Sequence, residues 1–472
     1  NRRVCFFYVY GYTSSMNNDE QLMEKIVTLC KNRGFIFQAG ELYGGLAGMY
    51  DYGPLGSLLK NNIKNLFIRK FVEERRDTYL IDSAIVMGEK PLTASGHVGG
   101  FSDPLVLDQK TGIEYRADTL LEDAGINTQG MRIKDMLDVI AAKGLLGHND
   151  LHQLIGREFN LMLKTQLGSS SDSSVTAYLR PETAQGIFIN YKNIIDSMHP
   201  KVPFGVAQIG KAYRNEITPR NFIFRLREIE QMEIEYFINP EQWDLQFEYW
   251  RDEMLEWCEM IGLDMNKLHE VEIGDKDRAH YSKRTIDFEF DFPFGQKELY
   301  GLAYRGDYDL TKHAEHAKTK LQYTDPETNE TYVPHVIEPS MGLDRTILAL
   351  LASAYREDEV DGSPRSYLAL KPQVAPYKIA VSPLVRNKDD IVLKANEVFG
   401  ILKATFGNVA FDDNGNIGKR YRRQDEIGTP FCVVIDYDSL DDGMVSVRDR
   451  NTTEQERVGI DELVTYFTTK LQ

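Results

Sequence analysis

Residues 212–237 read AYRNEITPRNFIFRLREIEQMEIEYF. Four arginines and five glutamates share these 26 residues with Phe, Ile, Leu and Met. From Phe224 onward, odd positions carry Arg225, Arg227, Gln231, Glu233 and Glu235. Even positions carry Phe224, Leu226, Met232, Ile234 and Tyr236. Period-two alternation predicts a β-strand with one apolar and one charged side. Phe204–Tyr213 reads as a second strand, and the turn-rich ITPRN between them makes a hairpin. A charged strand side ordinarily faces water. This one uses Arg as its base throughout, and the guanidinium fork suits planar recognition of phosphate and carboxylate. The hairpin is therefore either a solvated antiparallel surface or a site for a ligand bearing both charges.

The chain has 472 residues, enough for two or three domains and a large core. No apolar run reaches the ~18 residues of a membrane span. Cys5, Cys30, Cys258 and Cys432 form no CxxC pair. That disfavours structural zinc or a disulfide framework and suits a reducing, cytoplasmic compartment. Residues 1–15 are too broken by tyrosines for a signal peptide, and Met16 fits a natural start, leaving 1–15 as an extension of unknown status. The net charge of −17 argues against non-specific nucleic-acid binding. A local basic footprint exists at KRYRR, residues 419–423. With a tyrosine inside it, the run suits RNA backbone contact and stacking, or else a solvated helix end.

Residues 356–376 mix acids, Gly, Ser and prolines and read as a junction, with 361–375 the linker proper. Before it, residues 16–360 mix helices with strands of antiparallel type. Leu58, Leu59, Ile63, Leu66, Phe67 and Phe71 have helical spacing after Gly53-Pro54-Leu55-Gly56. Residues 105–175 read as an inserted module ending in GSSSDSS. After the linker, 376–472 reads as a compact α/β domain. GVAQIGKA (205–212) fits GxxxxGK, but Ala replaces the magnesium-binding hydroxyl and the segment is strand-like, so it is no phosphate loop. His313 and His316 are a candidate metal pair without an obvious third ligand. In HVIEPSMGLDRTILALL (335–351), a strand precedes a helix with Ser340 as a candidate cap and Arg345 in the first turn. A cation there is unusual unless it joins the free N–H groups in binding an anion.

YDYGPLGSLLKNNI (50–63), the opening segment, and EPSMGLDRTILALL, in that order, resemble the three motifs of class II aminoacyl-tRNA synthetases. SGHVGGFSDPLV, YRADTLLE, LRPETAQG, AYRGDYDL and GKRYRRQDEIGTPFCVVIDY resemble the glycyl-tRNA synthetase family of homodimeric type. The resemblance implies an α+β protein. Its catalytic domain is an antiparallel sheet flanked by helices, with an inserted module and a C-terminal α/β anticodon-binding domain. It implies ATP-dependent activation of glycine and transfer to tRNA(Gly) by a cytoplasmic homodimer. Arg214 and Arg345 are the implied catalytic residues. The ATP site is implied at Arg214, Asn215, Glu216, Phe224, Arg225, Leu226, Arg227, Glu228, Ile229, Glu298, Leu299, Gly342, Leu343, Asp344 and Arg345. The glycine site is implied at Arg116, Glu182, Ile229, Glu230, Gln231, Met232, Glu233, Arg305, Glu338, Pro339, Ser340, Met341 and Gly342. Mg2+ is expected with ATP, Glu298 being its implied ligand. Arg420, Arg422 and Arg423 are implied at the anticodon. Two departures stand out: Ile229 replaces the family's adenine-stacking Phe, and Thr119 replaces a His. A non-catalytic synthetase-like factor usually lacks the motif arginines that are present here, and another class II specificity would not carry RPETAQG and EPSMG.

Overall fold

The structure is a computed structural model and describes residues 18–128, 131–169, 174–275, 278–279 and 281–471. The extension 1–15, Met16 and the middle of GSSSDSS lie outside the described residues. The catalytic sheet is built from β1 (Thr78–Ile81), β2 (Phe204–Tyr213), β3 (Glu228–Ile238), β4 (Leu268–Glu272), β5 (Arg284–Phe292), β6 (Gly295–Gly306) and β7 (His335–Gly342). Its strand order is β4-β5-β6-β7-β3-β2-β1, with only the β1–β2 pair parallel. The helices that matter to it are α1 (Pro54–Ile68), α2 (Ala184–Met198), α3 (Trp243–Ile261), α4 (Tyr308–Ala317) and α5 (Leu343–Ala354).

The expected hairpin forms, with Phe204 opposite Phe237 and Tyr213 opposite Glu228. The strand begins at Glu228, however, and not at Phe224. Residues 214–227 form a long loop, where Arg220 and Arg225 make an isolated bridge. The charged side of β3 is not solvated: Glu230 through Ile238 are all buried. Met232, Ile234 and Tyr236 pack the main core beneath α1, α3 and α5, with Phe67, Trp250, Trp257 and Leu348. Each tryptophan there removes ~150–250 Å² from water, worth several kcal/mol at ~25 cal/mol per Å². The opposite side is only half covered. α2 and α4 close it over Phe204, Val206, Phe237 and Val336. They stop short of Gln231 and Glu233, which leaves a cavity above that stretch of sheet.

Pro54 opens α1, where its missing N–H costs nothing. Gly56 is required next: a Cβ there would sit 1.9 Å from the Phe35 carbonyl oxygen. GVAQIGKA lies in β2, as a strand and not a loop. The inserted module is a three-stranded sheet, Ile113–Arg116, Ser102–Asp108 and Leu154–Asn160, with two helices on its own core of Val106, Leu121, Met136 and Ile140.

The stretch read as a linker is folded. Tyr355–Val360 and Ser363–Leu368 pair as an antiparallel hairpin. Asp361 and Gly362 both have positive φ, 51° and 72°, as a tight two-residue hairpin turn demands. Beyond it, the strands Val409–Phe411, Ile379–Pro383, Phe431–Ile435, Met444–Asp449 and Gln455–Gly459 form a mixed sheet in that order. The helix Asp389–Phe406 buries Ile391, Ala395, Val398 and Leu402 against it. This domain is not loosely tethered. Arg365 of the hairpin is 3 % exposed and reaches Asp425 at 3.3 Å and the Arg450 carbonyl at 2.7 Å.

Candidate active site

The cavity measures about 460 Å³ and lies on the uncovered half of the sheet. Register sets its layout. Gln231 pairs with Gly342 and Glu233 with Ser340 across β3–β7, and Ala303 pairs with Glu338 across β6–β7. Side chains two residues apart share a side of the sheet, roughly 7 Å from each other. Ile229, Gln231 and Glu233 thus run along the floor, with Gly301 and Ala303 leaving it open on β6.

One end is rich in arginine. Arg116, Arg214, Arg225 and Arg345 all border the cavity. Arg214 follows β2 directly; its Nε donates to the Pro181 carbonyl at 3.1 Å and its guanidinium lies 5.3 Å from the Phe101 ring centre. Arg345 sits in the first turn of α5 as expected, 3.0 Å from the Glu298 carboxylate and 4.4 Å from the Phe224 ring centre. Arg345 above all, with Arg214 and Arg225 beyond it, holds the Glu298 carboxyl below its ordinary range. Burial, with Arg116 and Arg345 nearby, pulls Arg225 down. Buried polar atoms here lack partners among the described residues: Glu216 Oε2, Arg225 Nη1 and Gln231 Oε1. Such atoms cost about 1–3 kcal/mol each unless a ligand satisfies them.

The other end is acidic. Glu182, Glu233 and Glu338 border the cavity together with Ser340. Glu233 accepts from Thr183 and, at 2.7 Å, from the Ser340 hydroxyl. Burial raises its carboxyl, and Glu182 raises it further. Glu182 accepts from Gln185 at 3.0 Å and lies 3.4 Å from His97. Burial opposes its ionisation, but His97 and Arg305 prevail and hold it low. Behind this wall, Arg305 is 1 % exposed, donates twice to Asp309 and reaches Glu338 at 2.7 Å. Gln185 ties the cluster together, donating to Glu182 and Asp309 and accepting from His313 at 2.8 Å.

The residues named from the sequence divide clearly. Arg116, Glu182, Arg214, Glu216, Phe224, Arg225, Leu226, Ile229, Gln231, Glu233, Glu298, Leu299, Glu338, Ser340, Gly342, Asp344 and Arg345 border one cavity. Glu230 touches it too, but its carboxylate is clasped by Lys60 at 2.7 Å and Lys64 at 3.2 Å. Met232, Met341 and Leu343 belong to the main core on the far side, since the alternation puts them there. Pro339 is buried and does not border the cavity. Glu228 pairs with Lys211 at 2.7 Å. Arg227 donates to the Glu216 and Ala47 carbonyls, and the Asn215 backbone N–H to Leu161. His313 is spent on Gln185 and His316 on a helix carbonyl at 3.0 Å, so they make no metal pair. Ser340 lies within β7, and Gly342 caps α5 in its place.

Arg420 requires a correction: it is 1 % exposed and donates to the carbonyls of Pro383, Asp413 and Gly415, so it is not available to RNA. Arg423 grips Asp412 at 2.7 and 3.0 Å, and Arg422 donates to the Ser363 carbonyl.

Asp287 and Arg278 border the cavity without having been singled out from the sequence. Burial, then Glu298 and Glu289, push the Asp287 carboxyl up to about 7. Asp287 and Glu298 both border the cavity, and carboxylate oxygens are the donors a hard divalent cation takes. The signal for Asp287 was its place in DFEFDF, whose alternation faces it away from the core.

A sheet half roofed by helices, with arginines at one end of its open side and glutamates at the other, is the platform of a class II aminoacyl-tRNA synthetase. A family described as "tRNA synthetase class II core domain (G, H, P, S and T)" matches residues 169–354, and "Anticodon binding domain" matches 378–470. A glycine–tRNA ligase of Clostridium perfringens is 48 % identical over 464 residues, covering 94 % of this chain and 97 % of that relative. The Clostridium tetani ligase is 49 % identical over 467 residues, covering 96 % and 99 %. The Bacillus anthracis ligase is 46 % identical over 461 residues, covering 95 % and 99 %. The chain belongs to the glycine–tRNA ligase family.

Proposed function

We propose that this cavity activates glycine with ATP and passes it to the terminal adenosine of tRNA(Gly). The glycine carboxylate attacks the α-phosphorus, and pyrophosphate leaves. The nucleophile is already ionised at neutral pH, so the protein's task is to seat an anion against a polyanion and to hold both in line. Arg214 bridges the α-phosphate and the glycine carboxylate. Arg345 holds the terminal phosphate, and Arg225 assists from the loop. Glu216 accepts from the adenine amino group. Glu182, Glu233 and Glu338, with Ser340, take the ammonium group and occupy the space a side chain would need. Exclusion by a closed wall requires no separate editing site. Magnesium, held by Glu298 with Asp287, would offset phosphate charge when bound.

The C-terminal domain reads the anticodon, and the enzyme works in the cytoplasm as a homodimer. Leu42 and Tyr43, in the segment before Tyr50–Tyr52, are 96 % and 95 % exposed, as an apolar contact between copies would explain. No helix of the described residues is long and apolar enough to cross a membrane.

The observation that carries this reading is that Arg214, Arg225 and Arg345 border the same cavity as Glu182, Glu233 and Glu338. Its test is ATP–pyrophosphate exchange driven by glycine. Arg214→Ala lowers the exchange rate by about 10²–10³-fold, the usual loss for a preorganised electrostatic donor. Near-normal exchange in that variant, or exchange driven equally by alanine, would sink the assignment.

A further inference from the structure

Glu235 is the one acid of the glutamate cluster that this reading leaves without a task. It follows Glu233 by two residues on the same side of β3, and it is 0 % exposed. The register that pairs Glu233 with Ser340 and Tyr236 with Ile337 sets it across from Glu338. One oxygen from each of Glu233, Glu235 and Glu338 lies within 4.8 Å of the other two. The neighbouring acids have donors: Thr183 and Ser340 for Glu233, Arg305 for Glu338. Neither oxygen of Glu235 has a hydrogen-bond partner among the described residues.

Among the described residues, the elements around it supply no second cation. β7 presents Glu338, β6 presents Arg305, and α4 presents Asp309. His313 of α4 is turned to Gln185, and burial keeps it toward its neutral form. Arg305 makes three hydrogen bonds, two to Asp309 and one to Glu338, and none to Glu235. A buried carboxylate facing another, with no donor, ionises at great cost, and two such acids settle by keeping one proton. Burial pushes Glu235 well above the ordinary range, with Glu338 the next cause, and burial pushes Glu338 up as well.

We propose that Glu235 and Glu338 hold one proton between them, and that Glu235 keeps it when an ammonium group settles against Glu338. The proton stays within the pair, so Glu338 becomes a full anion for the substrate while the pocket's net charge does not change. Glu235 is then a positioning residue for the amino group of glycine. The proposal rests on the reading of this cavity as a glycine site.

The test pairs infrared difference spectroscopy with kinetics on the full-length protein. Wild type at neutral pH shows the carbonyl stretch of a buried protonated carboxylic acid; glycine shifts that band without abolishing it. Glu235→Gln removes the band yet, because its amide donates permanently, keeps the glycine KM within about threefold. Glu235→Ala removes the donor and raises the glycine KM at least about tenfold, the scale of one hydrogen bond to a charged group, with the ATP KM unchanged. A band untouched by Glu235→Gln, or a Gln variant as impaired as the Ala variant, overturns the proposal. So does a band seen only after divalent cations are chelated, which would assign the cluster to a metal. Absence of glycine-dependent exchange in wild type would instead refute the glycine reading, while the band's response to Glu235→Gln would still report on the proton.

Discussion

Replacing Arg305 by Met tests the charge balance of the acidic end. The guanidinium is fully enclosed and makes three charge-assisted hydrogen bonds of 2.7–2.9 Å to Asp309 and Glu338. It also stacks 3.8 Å from the Tyr281 ring centre. Met fills much of the volume but leaves Asp309, 2 % exposed, and Glu338, 6 % exposed, without their cation. Removing one partner of such a pair costs about 3–5 kcal/mol. At about 2–4 °C per kcal/mol for a large domain, Tm falls by roughly 10 °C.

The deficit depends on pH, and its sign is fixed. Burial already raises Glu235 and Glu338 in the folded state, and Arg305 opposes that rise. Without Arg305 both go higher still. A carboxyl whose folded pKa exceeds its unfolded one loses stability as pH rises between the two values. The variant therefore lags wild type least near pH ~5 and most near pH ~8–9. Differential scanning calorimetry across that range, beside the glycine KM, gives the readout. A Tm within about 2 °C of wild type at high pH, or a gap that narrows as pH rises, would refute the argument.

Ile229→Phe restores an aromatic face on the cavity floor and lowers the ATP KM about two- to tenfold, the scale of one ring stack; an unchanged KM in the exchange assay would show that the base does not rest there. Arg420→Met removes three bonds to backbone carbonyls and lowers the melting temperature of the C-terminal domain, as read by calorimetry. Glycine-dependent exchange persists in that variant, because residue 420 lies outside the catalytic cavity.

Much of the platform was legible because its signals are local. Alternation found β3, the arginine preference marked its chemistry, and the helix after EPSMG began with its arginine in the expected turn. What failed was non-local. Alternation says that Met232 and Glu233 face opposite ways, but not that α2 would roof one side as α1 and α3 fill the other. Met232, Met341 and Leu343 were therefore carried into the site with their neighbours when the register sends them to the core. The charged stretch 356–368 looked like a linker because both faces of a two-stranded ribbon can be wet; the Asp361-Gly362 pair was the available hairpin signal. The KRYRR run looked like an RNA footprint because sequence shows charge, not carbonyls, and its helix turns Arg420 inward onto three of them.

The separation of charge along the sheet constrains how pH can act on the enzyme. The arginines bordering the cavity cannot lose their protons in any working range. Glycine's carboxylate is ionised throughout, and the attack needs no proton removed. The carboxyls that burial raises are Asp287 on β5, pushed up to about 7, and the buried pair across β3 and β7, both pushed up chiefly by burial. In the proposed reading, the pair meets the ammonium group and not the phosphorus. If recognition and chemistry are divided in this way, pH in the range ~6–8 moves the glycine KM through Glu338 and leaves kcat at saturating glycine nearly level. Asp287 beside Glu298 adds a limb that follows the concentration of magnesium and ATP, not that of glycine. A kcat for exchange that titrated as steeply as the glycine KM, with magnesium and ATP saturating, would mean that a proton moves in the chemical step itself. The division between the two ends of the cavity would then have to be abandoned.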